Sequence, residues 1–385
     1  MGELRLTGEM AGVTAAEVIG TILRHDRKTT SYKIALIRGI GDLVAGYPTL
    51  GDGARRVAVP LRMLADCWVA YYWPFADAAA PILQGRPAGE KQDIAFRPAL
   101  SALRLEWADF LGSARPADGF FLISELRVPR RRALYPPALL AAYARAVDEI
   151  VRAIQQPIHY AGPGEWSVFP RPQRLHRLDD VVPLPASAAD DLCLVVDPEL
   201  WRAFRDLSLW IEALCIHEWC LYTETVSRTT RGEAYTLLTD RPDNRRPLTW
   251  ERNQVELLMM EGRIFTCPWT GSRVTISSYD LDHIVPVSLY PLNELWNLVP
   301  ADRHFNEHVK RDRLPTDARL LAAVPRLAGT YALYEQSSGL SGVLASDFSL
   351  RFTAEGHALY SPSRMANVVA DYVTALADAR NVARF

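Results

Sequence analysis

The chain has 385 residues, 49% of them hydrophobic and 23% charged, which is long enough for two or three domains with a sizeable buried core. Its 43 basic and 45 acidic side chains nearly cancel, so a polyanion would have to be held by a local basic patch and not by the field of the whole molecule. The five cysteines, Cys67, Cys193, Cys215, Cys220 and Cys267, have neither the paired spacing of a metal knuckle nor the density of a disulfide framework, and no internal repeat points to a solenoid.

The opening "MGELRLTGEM" has no basic region followed by an apolar run, and every longer apolar stretch is broken by charges or prolines well short of a membrane span. The expectation is a cytoplasmic chain without membrane insertion. "SYKIALIRGIGDLVAG" and "RRVAVPLRMLADCWVAYY" carry apolar residues at three- and four-residue intervals, and "PPALLAAYARAVDEIVRAIQQ" begins with prolines, which a helix tolerates only at its start. All three read as amphipathic helices. From about 157 to 190, repeated Pro and Gly break any helical period and leave loops with at most a small hairpin. "DPELWRAFRDLSLWIEALCIHEWCLYTETV" reads as one long helix with Asp197 as N-cap and Pro198 in its first turn; His217 inside it is a packed side chain with no assigned chemistry. Thr249 caps a helix from Trp250 to about Glu261 that Gly262 ends, and after Pro315 the chain returns to helix, the last one capped by Ser361 and begun by Pro362. The expected fold class is mainly α and multi-domain, with a helical targeting or regulatory region over 1–240, an α+β unit over 241–315 and a helical segment over 316–385.

The α+β unit holds "YDLDHIVPVSLYPLNELWNLVPADRHFNEHVKRDRLP". "RVTIS" and "YDLDHIV" are β-prone, "LWNLVP" is a second short apolar run, and the segment from about Asp302 to Lys310 suits a helix. Side chains alternate along a strand, so Asp282 and His283 converge on one site only if the strand ends there, and Pro286 supplies a reason for it to end. A carboxylate beside an imidazole suits phosphodiester hydrolysis: the Asp can hold a divalent cation while a neutral His takes the proton of the attacking water. The ordinary histidine pKa of about 6.5 suits that base role at working pH. An Asn on the neighbouring strand could orient the His by a hydrogen bond, and an oxygen ligand from the helix would complete the metal's protein shell.

"DHIVP" at 282–286, Asn297 in "WNLVP" and Asn306 in "HFNEHVK" resemble the HNH nuclease motif, whose ββα-metal fold occurs in homing and restriction endonucleases, bacterial toxins and the cutting domain of RNA-guided nucleases. The likeness covers roughly residues 265–315. It implies His283 as general base, Asn297 as the residue that orients it, and Asp282 and Asn306 as ligands of Mg²⁺ or Mn²⁺. His308 competes with Asn306 for the ligand role, but Asn306 and His308 lie on different flanks of a helix and an oxygen donor suits Mg²⁺ better. Many such domains add two C-x-x-C zinc knuckles. Here Thr270 stands where the thiol after Cys267 would be, and no Cys accompanies the last helix, so no structural zinc is expected and packing must hold the unit.

Three basic clusters could track a phosphate backbone: "RVPRRR" at 127–132, the region 241–246, and "KRDR" at 310–313 with Lys310, Arg311 and Arg313. The last follows the metal-binding helix directly and is the favoured DNA contact. The leading expectation is a divalent-metal-dependent endonuclease acting on double-stranded DNA. HNH units joined to large helical regions are similar to effectors of bacterial anti-phage and restriction systems, which implies possible partner proteins. The competing class is a binding or regulatory module with an inert HNH unit.

Overall fold

A computed structural model describes residues 14–50, 54–86, 93–240, 247–289, 292–352 and 361–385. The chain divides into two compact units, residues 1–123 with 133–241 and residues 124–132 with 242–385.

The first unit is mainly helical. Its elements are α1 (Ala15–Arg24), α2 (Tyr32–Gly46), β1 (Arg56–Pro60), α3 (Leu61–Tyr72), α4 (Arg97–Leu111), the start of α5 (Asp118–Arg127), then α7 (Pro137–His159), β2 (Gln173–Arg174), β3 (Val181–Pro183), β4 (Leu192–Val196), α8 (Pro198–Asp206), α9 (Ser208–Val226) and α10 (Arg231–Thr239). Its core is aromatic: Tyr32, Trp68, Tyr72, Phe96 and Trp219 are all buried and pack ring to ring. Two sequence expectations change here. Val57–Pro60 does not join the helix that follows: it is a strand, pairing antiparallel with β4 and parallel with β3 in a four-stranded sheet of order β2-β4-β1-β3. The β-prone Val57 and Val59, packed against an equally apolar partner, satisfy a ladder as well as a helix, and the partner lies more than a hundred residues away. The long helix expected from Pro198 is broken at Leu207, whose φ of −109° and ψ of 15° leave the helical region, giving α8 and α9.

The second unit holds α6 (Pro129–Arg132), α11 (Thr249–Met260), β5 (Tyr279–His283), β6 (Leu298–Asp302), α12 (Arg303–Phe305), α13 (Asp317–Glu335), α14 (Ser341–Arg351) and α15 (Pro362–Arg380). Gly262 follows α11 with φ of +88°, the left-handed conformation that ends helices. Ser361 caps α15 by accepting from the Arg364 N–H. β5 and β6 pair antiparallel with Asp282 opposite Val299 and His283 opposite Leu298. Residues 316–385, read from sequence as a separate segment, share one core with this hairpin: Leu281, Leu298 and Val299 cluster with Leu327, Tyr331, Phe348, Val369 and Val373. A two-stranded hairpin cannot bury both faces by itself, so α13, α14 and α15 cover it.

Aromatic packing joins the turn that precedes β5 to the helix that follows β6. Residues 265–274 form a tight turn, with the Gly271 N–H donating to the Cys267 carbonyl and the Cys267 N–H to the Ser272 carbonyl. At the start of α12 the Asp302 carboxylate accepts from the Phe305 N–H, 2.8 Å away. The ring of Phe385 meets Trp269 of the turn edge-on at 5.6 Å and Phe305 of the helix at 5.7 Å, while Arg319 lies over both Phe305 and Phe385. Among the described residues no group of three or more His, Cys, Asp and Glu is placed to hold a metal ion.

Candidate active site

β5 ends at His283, where the ladder gives way to the loop that carries "IVP". Asp282 alternates with the core-facing Tyr279 and Leu281, yet it is only 5% exposed, while His283 at the end of the strand is partly exposed. Ending the strand there lets the two side chains serve neighbouring positions.

The His283 ring is held by Asn293, not by Asn297. Its Nε2 lies 2.8 Å from Asn293 Oδ1. An amide oxygen only accepts, so Nε2 carries the proton and the lone pair of the neutral ring is at Nδ1. Burial pushes the His283 pKa below its ordinary 6.5; the Asn293 bond and Asp282 pull it up, while Lys310 and Arg131 push it down. The net lowering keeps the imidazole neutral at pH 7, the state a general base requires.

Asn297 is fully buried and binds backbone. Its Oδ1 accepts from the Val285 N–H at 2.8 Å, and its Nδ2 donates to the carbonyls of Val285 at 3.1 Å and Leu292 at 2.9 Å. Its own carbonyl accepts from the Ile284 N–H at 2.8 Å. The expected hydrogen bond from Asn297 to His283 is therefore absent; Asn297 fixes both ends of the loop that presents Asn293. The same loop is tied from outside by charge. The Leu295 N–H donates to Asp347 at 2.8 Å, Trp296 Nε1 donates to Glu294 at 2.7 Å, and Arg351 pairs with Glu294 at 3.2 Å.

Lys310 departs furthest from expectation. Placed by sequence among phosphate contacts, it is 1% exposed, and its ammonium lies 2.9 Å from Asp282 Oδ1 and 2.8 Å from the His283 carbonyl. The other oxygen of Asp282 accepts from Trp269 Nε1 at 3.1 Å. Residues 306–310 form a π turn closed by the Arg311 N–H on the Asn306 carbonyl at 2.8 Å, and Arg311 follows with φ of +53°. The wider turn brings Lys310 round toward β5. Asn306 is half-buried at the start of that turn, and its side-chain amide makes no hydrogen bond among the described residues. His304 and His308 stack on each other at 4.4 Å on the exposed flank, as one helical turn predicts, whereas Asp282 is buried. Arg311 is exposed, and Arg313 is partly buried.

The cation at Asp282 tests whether the site suits a metal. A carboxylate oxygen and a backbone carbonyl converge on one positive charge, the Lys310 ammonium standing in for an ion. Oxygen donors of this kind fit a hard divalent cation such as Mg²⁺ or Mn²⁺. Within the basic run 127–132, Arg130 and Arg131 are engaged by carboxylates and not free for phosphate. Arg131 is 1% exposed and pairs with Glu125 and with Glu251, the latter at 2.7 Å; Arg130 pairs with Glu251 at 2.8 Å and Asp347 at 3.2 Å. The region 241–246 lies outside the described residues.

Sequence reasoning missed Trp269, Asn293 and the buried role of Lys310. Nothing in residue type separates Asn293 from Asn297, four residues on; only the path of the loop does. Trp269 sits in the "CPWT" turn where the missing knuckle drew attention to cysteine alone.

Residues 12–238 match the model of the family described as "Domain of unknown function (DUF8808)", and residues 267–316 match that of the family described as "HNH endonuclease". The second match covers the turn, both strands and the π turn. No curated protein and no solved structure matches the chain. No helix among the described residues is long and apolar enough to cross a membrane.

Proposed function

The chain belongs to the DUF8808 family and carries an HNH endonuclease domain, and from that premise we propose that it is a divalent-metal-dependent endonuclease hydrolysing DNA phosphodiester bonds. The observation that carries the reading is the His283 ring, oriented by Asn293 at 2.8 Å and set beside the Asp282 carboxylate inside the HNH match.

In this reading His283 Nδ1 takes a proton from the water that attacks phosphorus, the bond from phosphorus to the leaving sugar oxygen breaks, and that oxygen takes a proton from solvent. Asp282 and Asn306 would hold Mg²⁺ or Mn²⁺, with His308 the competitor on the other flank. When bound, such an ion neutralises the phosphate and the developing charge on the leaving oxygen. Arg311 and Arg313 are the cations next to the site for the duplex backbone. Asn297 acts through the loop, keeping Asn293 and hence the ring in place.

The test is incubation of the full chain with supercoiled plasmid and Mg²⁺ or Mn²⁺. Nicked or linear DNA that His283→Ala abolishes supports the enzyme; DNA binding without cleavage under either metal would leave a binding module with an inert HNH unit. A role in anti-phage defence or restriction extends this reading, and its support is the joining of an HNH domain to a large helical region. Plaque formation on cells carrying the wild-type or His283→Ala chain checks it: equal plating of phage on both would remove the defence role.

A further inference from the structure

We propose that Lys310 is a built-in occupant of the cation position, competing with the divalent metal for Asp282 and so setting how readily the site is loaded. The inference rests on the metal reading above and adds the residue that governs it.

Three observations converge. The Lys310 ammonium is bound at 2.9 Å and 2.8 Å by two oxygens, Asp282 Oδ1 and the His283 carbonyl, in a pocket where Lys310 is 1% and Asp282 5% exposed. The second carboxylate oxygen accepts from Trp269 Nε1, so the indole holds one oxygen of the acid and the ammonium the other. An ion that draws on Asp282 Oδ1 and the His283 carbonyl together takes the place the ammonium holds. The segment that delivers Lys310 is also distorted: a five-residue π turn running into Arg311 at φ of +53° and ψ of −124°. A residue other than glycine with that backbone persists only where its surroundings over-determine it, and π turns concentrate at functional sites. The buried ion pair supplies that determination. Releasing Lys310 lets 306–311 rewind, and the segment carries Asn306, whose amide has no hydrogen-bond partner among the described residues, at its other end. Loading the metal and expelling the lysine thus become one transition, in which the ion exchanges one bound cation for another and leaves no buried carboxylate uncompensated.

The choice of lysine fits. The chain has only four lysines, Lys28, Lys33, Lys91 and Lys310, among 43 basic residues. A compact ammonium on a flexible stem can fill and leave an ion-sized position that a planar guanidinium would not.

The test uses the full chain as wild type, Lys310→Gln, Lys310→Met and Asp282→Asn, with Mn²⁺ as probe and calorimetric titration as readout, circular dichroism establishing that each is folded. Lys310→Gln and Lys310→Met are expected to bind Mn²⁺ roughly tenfold tighter or more than wild type, a gain of about 1.4 kcal/mol. Lys310→Met guards against the Gln amide acting as a ligand. In the wild-type chain, which needs no substitution, amine acetylation read by mass spectrometry is expected to spare Lys310 without Mn²⁺ and to modify it at saturating Mn²⁺. Affinity unchanged or weakened in both Lys310 variants, or Lys310 still protected at saturation, overturns the competition. If that happens while Asp282→Asn abolishes binding, the metal reading stands without it; if Asp282→Asn leaves binding untouched, the metal reading falls and takes the proposal with it.

Discussion

Asn293 and Asn297 stand four residues apart in one loop and differ in what their amides touch, one the His283 ring and the other three backbone groups. Asn293→Ala removes the group that fixes the ring's tautomer, and cleavage is expected to fall about 10–100-fold, a loss larger than any accompanying drop in melting temperature. Asn297→Ala strands buried backbone donors and acceptors at about 1–3 kcal/mol for each group left unpaired, so thermal unfolding should register it first. The His283 pKa, lowered mainly by burial, gives the pH dependence its sign. A base must be neutral, so activity is lost as pH falls through the lowered value; the acid limb of the cleavage rate is expected below pH 6.5, and a midpoint at or above 6.5 would show a solvated ring. For the helix ligand, Asn306→Ala should lose most Mg²⁺-supported cleavage and His308→Ala little, since His308 is stacked on His304 at the exposed flank. Activity lost with His308 and kept with Asn306 would mean that the site is built on a histidine ligand.

Between elements, the decisive contacts are ionic and buried. Glu251 of α11, Asp347 of α14 and Glu125 of α5 are each 0–1% exposed, and their cations are Arg130 and Arg131 of α6. Burial pushes the Glu251 carboxyl up, but Arg131 and Arg130 outweigh it and hold it below its ordinary value. Asp347 in turn holds the Leu295 N–H of the Asn293 loop, so α6 is linked to His283 through Asp347 and that loop. Arg131→Met keeps much of the volume and removes the charge, leaving two buried carboxylates short of a cation. The expected cost is about 3 kcal/mol or more, read as a lowered denaturation midpoint, and adding Glu251→Gln should recover part of it. Arg131→Met with wild-type stability would show that the network is incidental.

For the whole molecule, the HNH match covers only residues 267–316, while the family match of unknown function covers 12–238. The proposal that the larger region governs when and where the nuclease acts has a structural complication: residues 124–132 lie inside that match but belong to the compact unit of the nuclease. A chain beginning at Pro242 loses Arg130 and Arg131 and keeps Glu251 and Asp347. It is expected to melt well below the full chain in calorimetry, and equal melting would show that 124–132 is dispensable. Regulation by the first unit is therefore better tested by substitutions on its own surface, comparing cleavage rate and DNA affinity across a salt series; affinities and salt slopes that never move would remove the targeting role.

The sequence by itself determined what depends on neighbours in the chain. Ser361 and Pro362 begin α15 and Gly262 closes α11, because caps and left-handed stops are set within a few residues. The spacing from Asp282 through His283 and Asn297 to Asn306 marked the HNH stretch for the same reason: strand, loop and helix lengths fix which residues can meet. Only the tertiary structure decided what depends on partners far along the chain. Val57–Pro60 becomes a strand because β4 lies beside it, Arg130 and Arg131 are drawn inward because Glu251 and Asp347 face them, and Lys310 turns inward to Asp282 because a π turn brings it there. A buried charge is stable only against a specific counter-charge, and the identity of that counter-charge is a property of the fold, not of the residues on either side.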